Sequence, residues 1–385
     1  MNNHLSTPGN HQIPTLNFDH LAVFSPLRRG SKGVVFLVKA DNEWLALKVI
    51  LIESIETKKA KDEHKRVSFE QGVLSRFDHP LFPRLHGVLS TDEVVGYAID
   101  YCPGRDLNSL RKKQSEEMFS DEIIRFYASE LEIAFEYLHN QGIVYRDLKP
   151  DNVMIQENGH LMLVDFDLST NLPPRTPQSS SSSPRLSTTT NKERSFFAFS
   201  GFCNSGISPD DSVSRSSESS SSGEKSNSFV GTEEYVAPEV ITGTGHDFAV
   251  DWWSLGVVLY EMLYGTTPFR GSNRKETFFK ILTEPPSLVG ETTSLRDLVR
   301  KLLEKDTSRR INLEGIKGHD FFRGLDWDLV LKVSRPPYIP ASETESYEIS
   351  KIDVEKFVHE IFTNGDDNCN MKANDRINNG NFNVF

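Results

Sequence analysis

The sequence predicts an α+β protein of two lobes: a small β-rich lobe with one main helix, then a larger α-helical lobe. Three observations predict it. Short apolar runs separated by glycine or polar turns fill the first hundred residues, as strands do. From Ser120 onward apolar residues recur at helical spacing instead. The length, 385 residues, is enough to bury more than one core. Apolar residues make up only 37% of the chain, which assigns part of it to unfolded segments.

Residues 1–17 read as an unstructured leader; they are polar and lack the apolar stretch of a signal peptide. Leu16 to Leu27, with Leu21, Val23 and Phe24, reads as a strand. It leads through Gly30-Ser31-Lys32-Gly33 into a second strand, Val34 to Val38. Glycines let a backbone approach a phosphate closely, with turn amides aimed at it. A Gly-x-x-Gly alone is more often a plain hairpin. Trp44 to Ile50 is a third strand, and Lys48 sits in it among apolar neighbours, which is unusual for a surface lysine. His64 to Phe77 reads as a helix that carries Glu70 and ends before Asp78-His79-Pro80. Val94 to Ile99 is a strand running into Asp100-Tyr101-Cys102-Pro103-Gly104, the expected hinge between lobes. The first lobe is thus expected over residues 18–100 and the second over 101–322.

Ser120 is placed to cap a helix, with Asp121 and Glu122 in its first turn. Ile124, Tyr127, Ala128, Leu131, Ala134, Phe135 and Leu138 form its apolar face, which is core. The helix delivers the chain to Tyr145-Arg146-Asp147-Leu148-Lys149-Pro150-Asp151-Asn152. Pro150 disfavours helix at Lys149, so this stretch is a loop able to aim several polar side chains into one cleft. The apolar run Leu161 to Val164 then ends in Asp165-Phe166-Asp167. Residues 171–227 are crowded with serine and cannot bury enough apolar surface to offset ordering, so they read as a disordered insertion. Order is expected to return at Ser228-Phe229-Val230-Gly231-Thr232 and continue through Ala237-Pro238-Glu239. Residues 323–385 read as a tail of extended, proline-rich and polar pieces.

Net charge is −12 and the isoelectric point about 5.5, so nucleic acid is not the expected partner and a basic peptide is easier to accommodate. Cys102, Cys203 and Cys369 have no metal-ligand spacing and suggest a reducing compartment. No apolar run reaches the ~20 residues that span a bilayer. The expected location is the cytoplasm, the nucleus or the periphery of the plasma membrane.

The order and spacing of the glycine turn, the Lys48 strand, the octapeptide at 145–152 and Asp165-Phe166-Asp167 resemble those of protein kinases. The lysine two residues after Asp147 resembles the serine/threonine branch. Tyr145 in place of the usual histidine, Ser228 to Thr232, Asp167 where most kinases have glycine, and the insertion are similar to plant AGC kinases of group VIII, the oxidative-signal-inducible type. The resemblance covers about Phe18 to Tyr338. It implies a bilobal kinase fold, ATP with Mg²⁺ as cofactors, and a buried pair between Glu239 and Arg310. Leu27, Gly30, Gly33, Val35, Lys48, Glu70, Asp100, Cys102 and Asp106 would form the ATP site, with Glu63 the alternative to Glu70 as the partner of Lys48. Asn152 and Asp165 would hold metal. Asp147 would accept the substrate hydroxyl proton, and Lys149 would steady the transferring phosphate. Asp106, Asp151 and Glu261 imply a basophilic preference.

Ser228 aligns with an activating phosphosite whose phosphate would pair with Arg146. The terminal Phe382-x-x-Phe385 is similar to the motif that recruits the 3-phosphoinositide-dependent protein kinase. A monomer is the expected state. One departure from the pattern is Arg28, at a position where it carries a further glycine. Two function classes therefore stay open: an active serine/threonine kinase, supported by Lys48, Asp147, Asn152 and Asp165, or a pseudokinase scaffold, favoured by Arg28 and Asp167.

Overall fold

The computed structural model describes residues 13–30, 33–52, 60–172, 231–245, 247–334, 336–341, 352–363 and 383–384. Ser228, Phe382 and Phe385 lie outside these residues, as does nearly all of the serine-rich stretch.

The first lobe is an antiparallel sheet. β1 (Ala22–Arg29), β2 (Gly33–Ala40) and β3 (Glu43–Leu51) are successive hairpin partners; α1 (Ala60–Leu74) then precedes β4 (Leu85–Ser90) and β5 (Val94–Asp100). β5 pairs with both β3 and β4, giving the order β1-β2-β3-β5-β4. Strand alternation divides the side chains between two faces. Val34, Phe36 and Val38 of β2 and Leu45, Leu47 and Val49 of β3 are buried on one of them. Val35, Leu37, Ala46, Lys48 and Ile50 face the other, toward the inter-lobe cleft.

The second lobe opens with α2 (Leu107–Lys112) and α3 (Asp121–Asn140). The Ser120 side chain accepts from the Ile123 amide and caps α3. All seven residues of the expected apolar face of α3 are fully buried. Four short strands follow: β6 (Ile143–Val144), β7 (Val153–Ile155), β8 (Leu161–Leu163) and β9 (Thr170–Asn171), with β6 paired to β9 and β7 to β8. Then come α4 (Pro238–Thr242), α5 (Ala249–Tyr264), α6 (Arg274–Thr283), α7 (Ser294–Leu302) and α8 (Leu313–Lys317). Fourteen of the sixteen residues of α5 are buried, and it runs through the lobe centre. A helix apolar on all sides needs such a position.

Several boundaries differ from the sequence reading: β1 starts at Ala22 rather than Leu16, and α1 runs Ala60–Leu74 rather than over 64–77. The leader does not extend to residue 17: the Leu16 amide donates to the Val88 carbonyl (2.7 Å) and the Val88 amide to the Pro14 carbonyl (2.9 Å). Residues 14–16 therefore run along β4, where their backbone groups find partners. The first two residues of the expected insertion are ordered: Asn171 belongs to β9 and Leu172 is buried. The tail holds a helix, α9 (Val354–Thr363), where extended pieces were expected. Val354, Val358 and Ile361 lie at helical spacing and, with Phe357, cover the buried face of β2 and β3. Phe357 meets Phe36 with ring centroids 5.6 Å apart. β10 (Asn383–Val384) lies parallel to the end of β1.

α3 also buries an acid. Glu132 is fully buried, neither carboxylate oxygen has a hydrogen-bond partner, and the nearest cation, Lys317, is 3.9 Å away. Burial pushes its carboxyl up to about 8 against the pull of Lys317. The unfolded chain loses this proton near pH 4.5, the folded chain only near 8. Between these values the folded state holds more protons, so stability falls as pH rises and then levels off. Glu132→Gln is expected to melt above the parent at pH 9 and level with it near pH 4.5. A melting difference that does not change with pH would reject this account.

Candidate active site

β1, β2, β3 and β5 roof a cavity of about 820 Å³, and the loops around β7 and β8 form its floor. Leu27, Gly30, Gly33, Val35, Lys48, Glu70, Asp100, Cys102, Asp106, Asp147, Lys149 and Asp165 all line it. That volume lies within the range of small-molecule sites, roughly 300–1,000 Å³. Gly33 must be glycine, since a Cβ there would stand 2.4 Å from the Val49 carbonyl oxygen.

The register Val35↔Lys48↔Tyr97 sets Lys48 in the middle of the roof. Its ammonium donates to Glu70 Oε2 and to Asp165 Oδ1, both at 3.0 Å. The partner is therefore Glu70, on α1. Burial works against charge at Lys48, but the Asp165 and Glu70 carboxylates outweigh it and hold the ammonium well above its ordinary value. The other Glu70 oxygen accepts from the Phe166 amide (2.9 Å), so one carboxylate ties α1, β3 and the Asp165 loop together. Phe166 is fully buried among Phe77, Phe82 and Tyr145, with centroids 5.0–6.0 Å away. This packing fixes its neighbour Asp165, whose φ of +64° is unusual for a residue with a side chain.

Arg146 has a φ of +70°. Fully buried Asp251 of α5 over-determines this turn. It accepts from the Tyr145 amide (3.0 Å), the Arg146 amide (2.8 Å) and, across 2.8 Å, meets His139. The loop so held presents Asp147, which is 5% exposed. Its Oδ2 accepts from Lys149 Nζ and Asn152 Nδ2, and its Oδ1 from the Thr232 hydroxyl, all at 3.0 Å. Thr232 also accepts from Lys149 (3.0 Å). Thr232 is the residue the sequence reading missed; it stood in the quoted Gly231-Thr232 pair, but only the fold brings it to Asp147.

Asn152 is fully buried, and its Oδ1 has no hydrogen-bond partner. An orphaned amide oxygen beside an aspartate loop suits a hard cation. Burial opposes charge at Asp165, yet Lys48, Arg28 and Lys149 hold its carboxyl below its ordinary value, so it stays an anionic donor. No cluster of three or more His, Cys, Asp or Glu ligands occurs among the described residues. Such a cation would therefore share its coordination with phosphate oxygens and water. Asp167 also lines the cavity, and burial followed by the Asp165 charge pushes its carboxyl up to about 7. The extra acid is thus partly neutralised near neutral pH.

Two of the predicted acids already hold partners within the protein. The Asp100 carboxylate is occupied by His86 (2.7 Å) and the Arg84 amide (2.8 Å), so at the hinge it offers the cleft its backbone. The Asp106 carboxylate caps α2 by accepting from the Ser109 amide (2.7 Å) and hydroxyl (3.0 Å). Cys102 is buried, and burial raises its thiol far above the ordinary range, so it acts as an apolar wall.

An ion-paired lysine, an aspartate positioned by lysine and asparagine, and a metal-suited asparagine–aspartate pair around one nucleotide-sized cleft define a protein kinase. The protein kinase domain family matches residues 22–189 and 213–322, and the chain belongs to that family. The chain is 68% identical to serine/threonine-protein kinase OXI1 of Arabidopsis thaliana, over 94% of this chain and 92% of that one. It is 38% identical to the Arabidopsis serine/threonine-protein kinase UCNL over 93% of this chain and 92% of the relative. Flippase kinase 1 of Saccharomyces cerevisiae is 35% identical over 86% of this chain and 35% of its own length.

Proposed function

We propose that this chain is an active serine/threonine protein kinase that transfers the γ-phosphoryl group of ATP, as its Mg²⁺ complex, to hydroxyls of protein substrates. The observation that carries this reading is the convergence of Lys48, Glu70, Asp147, Lys149 and Asp165 on one cleft, with Asn152 buried against Asp147, in two hydrogen-bonded groups. Lys48, fixed by Glu70, holds the nucleotide phosphates. Asn152 and Asp165 would hold Mg²⁺, which supplies charge neutralisation on the phosphate oxygens. Asp147 orients the substrate hydroxyl and takes its proton. The hydroxyl oxygen bonds to γ-phosphorus as the bond to the ADP oxygen breaks. Lys149 steadies the transferring group. Positioning and electrostatics thus provide the rate.

Lys48→Met and Asp165→Asn should each abolish phosphate transfer that the parent shows. A parent without transfer, or mutants that keep it, would favour the scaffold reading. Arg28 and Asp167 both line the cleft, but the hydrogen-bonded Lys48, Asp147 and Asp165 beside them support the enzyme reading.

The substrate preference is basophilic. Asp106 lines the cleft, Asp151 follows in the catalytic loop, and Glu261 lies behind with Arg111 (3.2 Å) as its internal cation. Running the transfer assay with arginine-rich and acid-rich peptides tests this; faster transfer to the acidic set counts against it. Phe382 and Phe385 dock the 3-phosphoinositide-dependent protein kinase, which phosphorylates Ser228, and the phosphate pairs with Arg146. Deleting the last four residues should lower Ser228 phosphorylation and leave ATP binding intact; equal phosphorylation removes the docking role. The protein acts as a monomer in the cytoplasm, the nucleus or at the plasma membrane periphery, and tagged full-length protein imaged in its own cells checks the location. Among the described residues no helix is long and apolar enough to cross a membrane.

A further inference from the structure

The position where the glycine-loop pattern carries its first glycine holds Arg28, near the end of β1. Its side chain does not turn outward to solvent. Arg28 lines the nucleotide cavity and is partly buried, and its Nη1 donates to the Asp151 carbonyl oxygen at 3.1 Å. β1 belongs to the roof and Asp151 to the catalytic loop of the floor, so this hydrogen bond joins the two lobes. Its guanidinium also lies close enough to Asp165 to act on that carboxylate.

The neighbouring Arg29 is anchored elsewhere. It donates to the Ile361 carbonyl (3.2 Å) and stands 5.5 Å from the Phe362 ring, both on α9. One arginine thus holds the strand end to the tail helix, and the next reaches across the cleft. Anchoring at Arg29 limits how far β1 can drift and keeps the reach of Arg28 short.

We propose that Arg28 is a nucleotide-retaining latch: a positioning residue whose cleft-spanning hydrogen bond to the Asp151 carbonyl must break before the lobes part and ADP leaves. This rests on the kinase reading above and adds to it the residue that times product release. Bonds from a charged donor are among the stronger protein hydrogen bonds, and a glycine cannot make one. The latch does not touch the reacting atoms, so its own readout is nucleotide release; the charge it places near Asp165 acts on the transfer step separately.

The test measures release of a fluorescent ADP analogue from full-length protein with Mg²⁺, beside single-turnover transfer to an arginine-rich peptide. Arg28→Ala and Arg28→Gly are expected to release ADP about tenfold faster, the effect of losing roughly one charge-assisted hydrogen bond. The single-turnover rate is recorded separately, because Arg28 also acts on the Asp165 carboxylate, and the latch is judged on the ADP release rate alone. Arg28→Lys keeps the charge but not the forked reach, and should fall between. Arg28→Gly also restores the usual loop residue, so faster release in both variants cannot be assigned to a spoiled loop. Release at the parental rate in both would overturn the latch, and so would a fall in single-turnover rate with release unchanged. A parent that binds no nucleotide would take the kinase reading down with it, whereas binding that ignores Arg28 removes the latch alone.

Discussion

Asp147→Asn is expected to cost phosphate transfer about 10²–10⁴-fold in kcat, the usual contribution of a positioned general base, while nucleotide affinity changes little. The geometry makes this a clean substitution. In the parent, one carboxylate oxygen accepts from Lys149 and Asn152 and the other from the Thr232 hydroxyl. An asparagine can direct its oxygen to the two amine donors and its NH2 to the Thr232 oxygen. The shape survives, with the Thr232 bond reversed in direction; the charge proposed to take the proton does not. Lys48, Glu70 and Asp165, proposed to serve the phosphate end, bond to one another and not to Asp147. The measurement is kcat for peptide phosphorylation beside the Kd for nucleotide. A kcat within tenfold of the parent would place the base elsewhere, and a lost nucleotide affinity would mean the cleft had been disrupted instead.

The residues of this cleft were unevenly visible in the sequence. Lys48 was visible because a lysine inside an apolar strand asks for a partner, and Glu70 lay on the next helix. Asp147, Lys149 and Asn152 were visible because a proline-broken loop fixes their spacing over six residues. The apolar face of α3 was legible for the same local reason, since period and cap agree. Arg28 was visible only as a departure from a pattern. Its partner is a backbone carbonyl 123 positions away, which no local signal encodes. Thr232 depends on a similar long-range meeting, 85 positions from Asp147. The helix α9 had a readable Val354–Val358–Ile361 spacing, but short helices depend on the surface they cover. That surface, the buried face of β2 and β3, is formed some 300 residues earlier in the chain. The leader boundary failed likewise: residues 14–16 have no strong strand pattern and are ordered by backbone bonds offered by β4.

Arg310→Ala is expected to destabilise the second lobe by about 3–5 kcal/mol, the typical cost of stranding one member of a buried ion pair. Arg310 Nη1 and Nη2 donate to the two oxygens of Glu239 at 2.6 and 3.0 Å. Nη1 also reaches the Ala249 carbonyl (2.8 Å) and Nε the Glu304 carbonyl (2.9 Å), and the guanidinium carbon lies 5.2 Å from the Trp253 ring centroid. Both residues are 6% exposed, so water cannot replace what alanine removes. Glu239 opens α4 just after the segment that carries Thr232, and Arg310 follows α7. The pair therefore fixes the start of α4, just after Thr232, against the start of α5. Thermal melting should fall on the order of 10 °C for a loss of this size. Glu239→Gln keeps one acceptor oxygen and loses the other bond, because its NH2 cannot accept from the guanidinium, and should cost less than Arg310→Ala. In the double variant Glu239→Gln/Arg310→Met no unpaired charge remains, so it should lose less than the two single losses added together. Strictly additive losses would show that the two side chains contribute separately, and that the segment bearing Thr232 is held by something other than their contact.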